Sequence, residues 1–231
     1  KEKSFEEAIE QFLITQGGYQ KGDAGAFDRA LAIDKATLLS FIHLTQPKKW
    51  EKYLLVYGNE AESAFIKRFD KEVSSRGLLD VLRKGFKDRG IEFKVCFFKP
   101  ETSLNEDNLE RYNQNILHCT RQVHYSLSSE NSIDIVLLLN GIPVVSMELK
   151  CQFTGQTAMN AINQYKFDRA SKDKIFEFRN RVLVHFAVDL YEVYMTTQLN
   201  GAETYFLPFN QGSDGAGNVG GKGNLYIEGD Y

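Results

Sequence analysis

The segment from Ser132 to Lys150 constrains the fold of this chain more than any other. It reads S-I-D-I-V-L-L-L-N-G-I-P-V-V-S-M-E-L-K, two apolar runs separated by Asn-Gly. Asn-Gly between strand-forming runs predicts a β-hairpin. The hairpin carries two carboxylates, Asp134 in the first run and Glu148 near the end of the second. Because an ionised carboxylate is costly to bury unless it is paired or binds a metal, these acids indicate chemistry rather than packing.

The strand register decides whether the two acids share a face of the sheet. A two-residue turn at 140–141 places Asp134 opposite Met147, which puts Asp134 and Glu148 on opposite faces. A three-residue connection, or a β-bulge between the turn and the acids, places Asp134 opposite Glu148. We therefore predict that the loop is longer than two residues or that a bulge intervenes.

On a shared face, the residues at the hairpin end suit phosphodiester hydrolysis. Asp134, Glu148 and the backbone carbonyl of Leu149 are oxygen ligands that a hard cation such as Mg²⁺ prefers. Lys150 lies two residues after Glu148 and can orient a water molecule or offset charge in the transition state. The alternative is an ion pair of Lys150 with either acid at a sheet edge, and the spacing alone leaves both open.

The rest of the chain divides into a largely helical part, 1–90, and a strand-rich part, 91–210. Helical spacing and end signals predict four helices in the first part, at 4–17, 35–45, 60–74 and 78–84. In the second part, a helix is predicted at 155–171, directly after the hairpin. Six glycines fall within 212–223, which predicts a linker over 211–231.

Composition limits the environment and the partners. The 231 residues carry a net charge of −3, so any nucleic-acid contact needs a local basic patch or other parts of an assembly. Three widely spaced cysteines, an odd number, predict free thiols in a reducing cytoplasm. No apolar run approaches the roughly 20 residues of a membrane span.

The Asp134…Glu148-x-Lys150 hairpin resembles the PD-(D/E)xK nuclease superfamily, with Ile133 in place of the proline in that name. The surrounding sequence resembles the N-terminal endonuclease region of the type I restriction enzyme R subunit. The matching stretches follow one order along nearly the whole chain, at 77–83, 121–122, 133–136, 140–143, 148–150, 154–156, 164–165, 185–189 and 206–210.

The resemblance implies an α/β restriction-endonuclease-like fold, a mixed sheet flanked by helices with an N-terminal helical accessory layer. It implies one nuclease domain over 1–210, followed by the linker toward an ATP-driven motor that this chain lacks, since no Walker A pattern occurs. ATP is then required only in the motor domains.

The implied activity is Mg²⁺-dependent cleavage of double-stranded DNA, with Asp134, Glu148 and Lys150 in the catalytic positions. The implied partners are methyltransferase and specificity subunits, with a second R subunit for double-strand cleavage.

Many relatives carry a Gln-x-x-x-Tyr motif on the helix after the lysine. Here Gln164 matches the motif, but Asp168 stands where the tyrosine would be. We predict that Gln164, Tyr165 and Arg169 contact DNA or support the site.

Residues on two other segments complete the predicted site. Arg121 and Gln122 precede the hairpin and are predicted to reach a phosphate, although Arg121 paired with a surface acid is an equal alternative. Related nucleases often add a carboxylate from the first helix. Glu6 fits that spacing as a further metal ligand and Glu10 is second, with a solvated helix face as the alternative.

Two other functions remain open from the sequence. One is a repair or junction-resolving nuclease of the same superfamily. The other is a non-catalytic DNA-clamping or docking domain, against which the intact Asp, Glu and Lys set argues.

Overall fold

The computed structural model describes residues 2–100 and 106–210. The predicted linker over 211–231 lies outside the described residues. A seven-stranded mixed sheet with helices around it confirms the predicted α/β architecture. Within the described residues, no helix has the length and apolar character that crossing a bilayer requires.

The chain begins with helix α1 (Glu2–Thr15) and the short strand β1 (Gln20–Lys21). Four helices follow, α2 (Lys35–Thr45), α3 (Pro47–Tyr57), α4 (Ala61–Arg76) and α5 (Leu78–Lys84). A small hairpin, β2 (Phe86–Asp88) with β3 (Ile91–Phe93), packs with them, and α6 (Glu106–Asn113) precedes the main sheet. Helices α2 to α5 with β2 and β3 form the helical layer.

The main sheet continues with β4 (Leu117–His124), β5 (Ser132–Leu139) and β6 (Ile142–Leu149). Helix α7 (Ala158–Asn163) runs into a π-helical turn (Gln164–Asp168). The last strands are β7 (Val184–Val188), β8 (Val193–Thr196) and β9 (Leu207–Pro208). The spatial order is β1-β4-β5-β6-β7-β8-β9, parallel at β1/β4 and β6/β7 and antiparallel elsewhere.

The β5–β6 hairpin contributes residues to two apolar clusters. The helical layer buries its own core, which includes Phe41, Tyr53 and Phe65, and that core meets Ile142 at the turn end of the hairpin. Helix α1 packs its apolar side chains against a second cluster that contains Ile135. The turn end of the hairpin is therefore fixed by the helical layer, and the opposite end carries the acids.

Two predictions about elements need correction. Helix α3 was not predicted, because Gln46-Pro47 looked like the end of a helix, whereas Pro47 occupies the first turn of a new one. The predicted helix over 155–171 is shorter and changes from α to π geometry at Gln164. The three cysteines are free, as predicted, and all three are buried.

Candidate active site

The turn of the central hairpin is the two-residue form that the Asn-Gly signal predicts. Asn140 and Gly141 have φ values of 51° and 80°, and Leu139 pairs with Ile142 across them. Taken alone, this turn would separate the two acids onto opposite faces.

A β-bulge immediately after the turn changes the register. Leu138 pairs with Pro143, but Leu137 pairs with Val145, so Val144 is an extra residue on β6. One inserted residue moves every later side chain of the strand to the other face.

The bulge brings the acids together. Ile135 pairs with Met147, and the same register places Asp134 opposite Glu148. The bulge alternative of the sequence prediction is therefore confirmed, and the longer-loop alternative is wrong.

Glu148 is fully buried and has a different environment at each oxygen. Its Oε1 accepts hydrogen bonds from Arg169 Nε at 2.8 Å and Nη2 at 2.6 Å. Its Oε2 has no hydrogen-bond partner among the described residues. Arg169 is itself fixed, since Nη1 donates to the Tyr125 hydroxyl at 3.2 Å and Nη2 to the Ser132 carbonyl at 2.7 Å.

The charge state of Glu148 reflects this environment. Burial, followed by the neighbouring Asp134 carboxylate, raises the pKa of Glu148 to about 8, although Arg169 and Lys150 act in the opposite direction. Burial alone would lower the pKa of Arg169, but Glu148 and Tyr125 raise it above its usual value. The arginine therefore stays charged beside a carboxyl that exchanges its proton near neutral pH.

Asp134 is half-buried and held by two donors. Its Oδ2 accepts the Leu149 backbone N–H at 2.7 Å, and its Oδ1 accepts Gln122 Nε2 at 3.3 Å. Lys150 is almost fully buried, and its backbone N–H donates to the Val188 carbonyl at 2.8 Å. The structure thus brings all three predicted catalytic residues into one region of the sheet.

Gln122 connects α1 to the site. It has a left-handed φ of 51°, which is strained for a residue with a side chain. Its Nε2 donates to Glu6 Oε1 at 3.0 Å as well as to Asp134, and its Oε1 accepts the Ser132 hydroxyl at 2.7 Å. The pKa of Glu6 is raised by burial, lowered by the Gln122 hydrogen bond and raised by Asp134, with a net increase.

Arg121 points toward α1 and pairs with its glutamates. The distances are 3.2 Å to Glu6, 3.6 Å to Glu7 and 3.4 Å to Glu10. Its charge is therefore already balanced by acids, which matches the alternative reading of Arg121 better than a free phosphate-binding group.

The residues after the lysine support the site from within. Tyr165 is fully buried, and its hydroxyl lies 2.8 Å from Ser146 Oγ, which lies 2.8 Å from His185 Nδ1. Burial lowers the pKa of His185 to about 3, so the ring is neutral, which is typical of a hydrogen-bonded core histidine. In this position Tyr165 packs inside the protein near Glu148 and has no exposed surface for a ligand. Gln164 is partly exposed.

Sequence reasoning missed two parts of this arrangement. It did not pair Arg169 with Glu148, and it gave no role to Ser146. The position of Ser146 two residues before Glu148, on the same side of β6, was the available signal. For Arg169 no local signal existed, because its direction depends on where the π-helical turn ends.

The side-chain oxygens at this site are of the type that a divalent cation prefers as ligands. Asp134 and Glu148 are hard oxygen ligands, and the unpartnered Oε2 of Glu148 is the buried atom that a cation would satisfy. Among the described residues, no three Asp, Glu, His or Cys side chains gather as a metal cluster. Glu6 and Asp134 both accept a hydrogen bond from Gln122 Nε2, and the role of Glu6 as a ligand stays a prediction.

The family model for the type I restriction enzyme R protein N terminus matches residues 2–204. No curated protein and no solved structure matches the chain.

Proposed function

Since the chain belongs to the type I restriction enzyme R protein N-terminal family, we propose that it is the Mg²⁺-dependent endonuclease of such a restriction system. It would hydrolyse phosphodiester bonds of double-stranded DNA. The observation that carries the proposal is the bulge at Val144, which places Asp134 opposite Glu148, a buried carboxyl with one oxygen that has no hydrogen-bond partner among the described residues.

The residues take distinct roles in the proposed reaction. Asp134, Glu148 and the Leu149 carbonyl would hold Mg²⁺, which when bound polarises the scissile phosphate and makes a bound water more acidic. Arg169 holds Glu148 so that its second oxygen stays available. The Lys150 ammonium stabilises negative charge that develops on the phosphate.

The proposed setting follows the family. The chain would act in the cytoplasm with methyltransferase and specificity subunits, and a second R subunit would supply the cut in the other strand. ATP would be consumed by the motor domains of the R subunit.

A non-catalytic DNA-clamping domain is the second candidate. The observation that favours it is the contact of Arg169 with Glu148 Oε1 at 2.6 Å, because an arginine that already occupies one oxygen of the carboxyl group is compatible with a site that has lost its cation. The experiment below separates the two.

The test uses the complete restriction complex with ATP, Mg²⁺ and circular DNA that carries its recognition site. Asp134→Asn, Glu148→Gln and Lys150→Ala should each lower cleavage by about 100-fold or more, while ATP hydrolysis continues. Asp107→Asn and Glu51→Gln, on exposed helix positions, are matched controls and should cut normally. Normal cutting by Asp134→Asn and Glu148→Gln would refute the proposal, and a wild-type complex that hydrolyses ATP without cutting would support the clamp.

A further inference from the structure

We propose that the helical layer carries a second DNA-contact surface, a basic track that binds the phosphodiester backbone. The track consists of two neighbouring clefts, the α5 cleft and the α3 cleft, whose lining residues are given below. The proposal rests on the proposed function only in taking DNA as the partner. It uses none of the residues assigned to catalysis.

The α5 cleft has a volume of about 580 Å³ and lies between the α4–α5 junction and the loop before β7. Its described lining contains four cations, Arg76, Arg83, Lys84 and Arg179, and a single acid, Asp80. Asp80 is shared by Arg76 at 2.6 Å and Lys84 at 2.7 Å. Arg83 is exposed and has no ion-pair partner among the described residues. The cleft therefore keeps an excess of positive charge.

Arg179 is held in the α5 cleft by its backbone. It has a left-handed φ of 69°, and its carbonyl accepts the Leu78 N–H at 2.6 Å. Its side chain lies over Gly77, where a Cβ would come within 3.2 Å of Arg179 Nε. Arg179 and the neighbouring Phe178 are both exposed. A strained backbone that presents a guanidinium at the mouth of a cleft is typical of a binding surface.

The α3 cleft, of about 600 Å³, lies at the start of α3 against α6. Lys48, Lys49, Lys94 and Arg111 line it, and none of its described lining residues is acidic. The acids of α6 lie outside this lining. Lys48 and Lys49 are exposed and have no ion-pair partner among the described residues, and Arg111 lies 6.0 Å from the centroid of the Phe97 ring.

The two clefts adjoin. Lys94 Nζ, in the α3 cleft, donates to the carbonyl of Lys84, in the α5 cleft, at 2.7 Å. The Gln46 amide fixes Lys94 from the other side through its backbone N–H and carbonyl, both at 2.8 Å. The two clefts therefore meet at the contact between Lys84 and Lys94.

A polyanion is the partner that this surface fits. The chain as a whole has a net charge of −3, so a track with one acid among its described lining residues is a local concentration of positive charge. Lysine and arginine at the phosphate backbone bind DNA without reading its sequence, and restriction is directed at DNA. The backbone chemistry is common to duplex and single-stranded DNA.

The test measures binding by the full-length R subunit with Asp134→Asn, in EDTA, so that cleavage plays no part. Fluorescence anisotropy is recorded across a salt series with a duplex of about 30 base pairs and with one of its strands. Lys48→Gln with Lys49→Gln, and Arg83→Gln with Arg179→Gln, remove two charges from each cleft. Lys67→Gln with Lys71→Gln, on exposed positions of α4, removes the same charge elsewhere.

Each lost phosphate contact should weaken duplex binding about eightfold at 0.1 M salt and reduce the salt slope by about 0.9, or about 0.7 for a single strand. The control pair should bind like its parent. In the same protein, a benzophenone amino acid at position 49 should crosslink to DNA, and one at position 67 should not.

Unchanged affinity and slope in both track variants, with no crosslink at position 49, would overturn the proposal. Loss of binding to the methyltransferase–specificity core with intact DNA binding would overturn it in favour of an acidic protein partner. Neither result depends on cleavage, so failure of the nuclease proposal is seen separately in the plasmid assay.

Discussion

At the scale of single residues, Glu148 decides what the site can do. It is fully buried, and its pKa is raised to about 8, first by burial and then by Asp134. Below that pH the carboxyl is largely protonated, whereas a cation needs the ionised form. Binding of a cation must therefore displace a proton.

We expect the apparent affinity for Mn²⁺ to rise up to about tenfold per pH unit as the pH approaches 8 from below. Calorimetry at pH 6.5 and 7.5, in buffers of different ionisation enthalpy, measures both the affinity and the released proton. Glu148→Gln should bind weakly and release no proton. Equal affinity at the two pH values in the wild type would contradict the assigned ligand.

Arg169 should stabilise the fold through the same carboxyl. In Arg169→Met, Glu148 loses the arginine that favours its ionised form, so its pKa in the folded state rises further above the usual 4.5. The folded state then loses stability as the pH rises from 4.5 toward and through this raised pKa. The loss in free energy of unfolding should reach about 3–5 kcal/mol at pH 8.5. At pH 6, where Glu148 is protonated in both folded proteins, the loss should be smaller by about 1 kcal/mol.

Urea unfolding at the two pH values measures this difference. Arg83→Met, which removes an exposed arginine, should change neither value by more than about 0.5 kcal/mol. An Arg169→Met penalty independent of pH would show that Glu148 is not the group that the arginine stabilises.

At the scale of elements, the hairpin shows how far the sequence reaches. The sequence predicts the two apolar strands, the Asn-Gly turn and the need for Asp134 and Glu148 to share a face. The choice between a longer loop and a bulge could not be predicted from the sequence, because it depends on which residues contact the turn. The Asp34 N–H donates to the Gly141 carbonyl at 2.8 Å, so the residue before α2 contacts the two-residue turn, and the extra residue lies at Val144.

Gly141→Ala should therefore destabilise the protein by more than a left-handed backbone alone requires. Gly141 has a φ of +80°, and a Cβ there would lie 2.2 Å from the Asp34 carbonyl and 2.9 Å from Leu38 N. Gly90 is the matched control, with a φ of +84° and nothing within 4 Å. Urea unfolding should show about 1–2 kcal/mol for Gly90→Ala and at least about 2 kcal/mol more for Gly141→Ala. Equal losses would mean that α2 moves away without cost.

The segment after Lys150 could be predicted only in part from the sequence. Gln164, Tyr165 and Arg169 were identified, but helical periodicity could not show that α7 becomes a π-helical turn and ends at Asp168. That ending directs Arg169 to Glu148 and leaves Asp168 exposed. The Gln-x-x-x-Tyr motif would use positions 164 and 168. In this chain the buried contacts are made one residue later in each case, by Tyr165 and Arg169.

At the scale of the whole molecule, a buried ion cluster joins the helical layer to the sheet. Arg181, just before β7, is fully buried and donates to Asp70 of α4 at 2.6 Å and to the Leu31 carbonyl at 2.7 Å and 2.9 Å. Lys174 also binds Asp70, at 2.8 Å. Burial alone would raise the pKa of Asp70, but Lys174 and Arg181 outweigh it and hold that pKa below 3.8.

Asp70→Ala should therefore uncouple the two layers, because it leaves the Arg181 guanidinium buried without its carboxylate. The expected loss is about 3 kcal/mol at pH 7, and Asp107→Ala, an exposed carboxylate of α6, should lose less than about 0.5 kcal/mol. Since the folded pKa of Asp70 is lowered, its contribution is complete above pH 3.8 and disappears as the pH falls through the folded value. The difference in free energy of unfolding between wild type and Asp70→Ala should shrink accordingly in acid.

Hydrogen exchange tests the coupling of the two layers directly. It should show α4 opening before β6 in the variant and together with β6 in the wild type. Identical opening in both proteins would mean that the apolar contact at Ile142 joins the layers without this cluster.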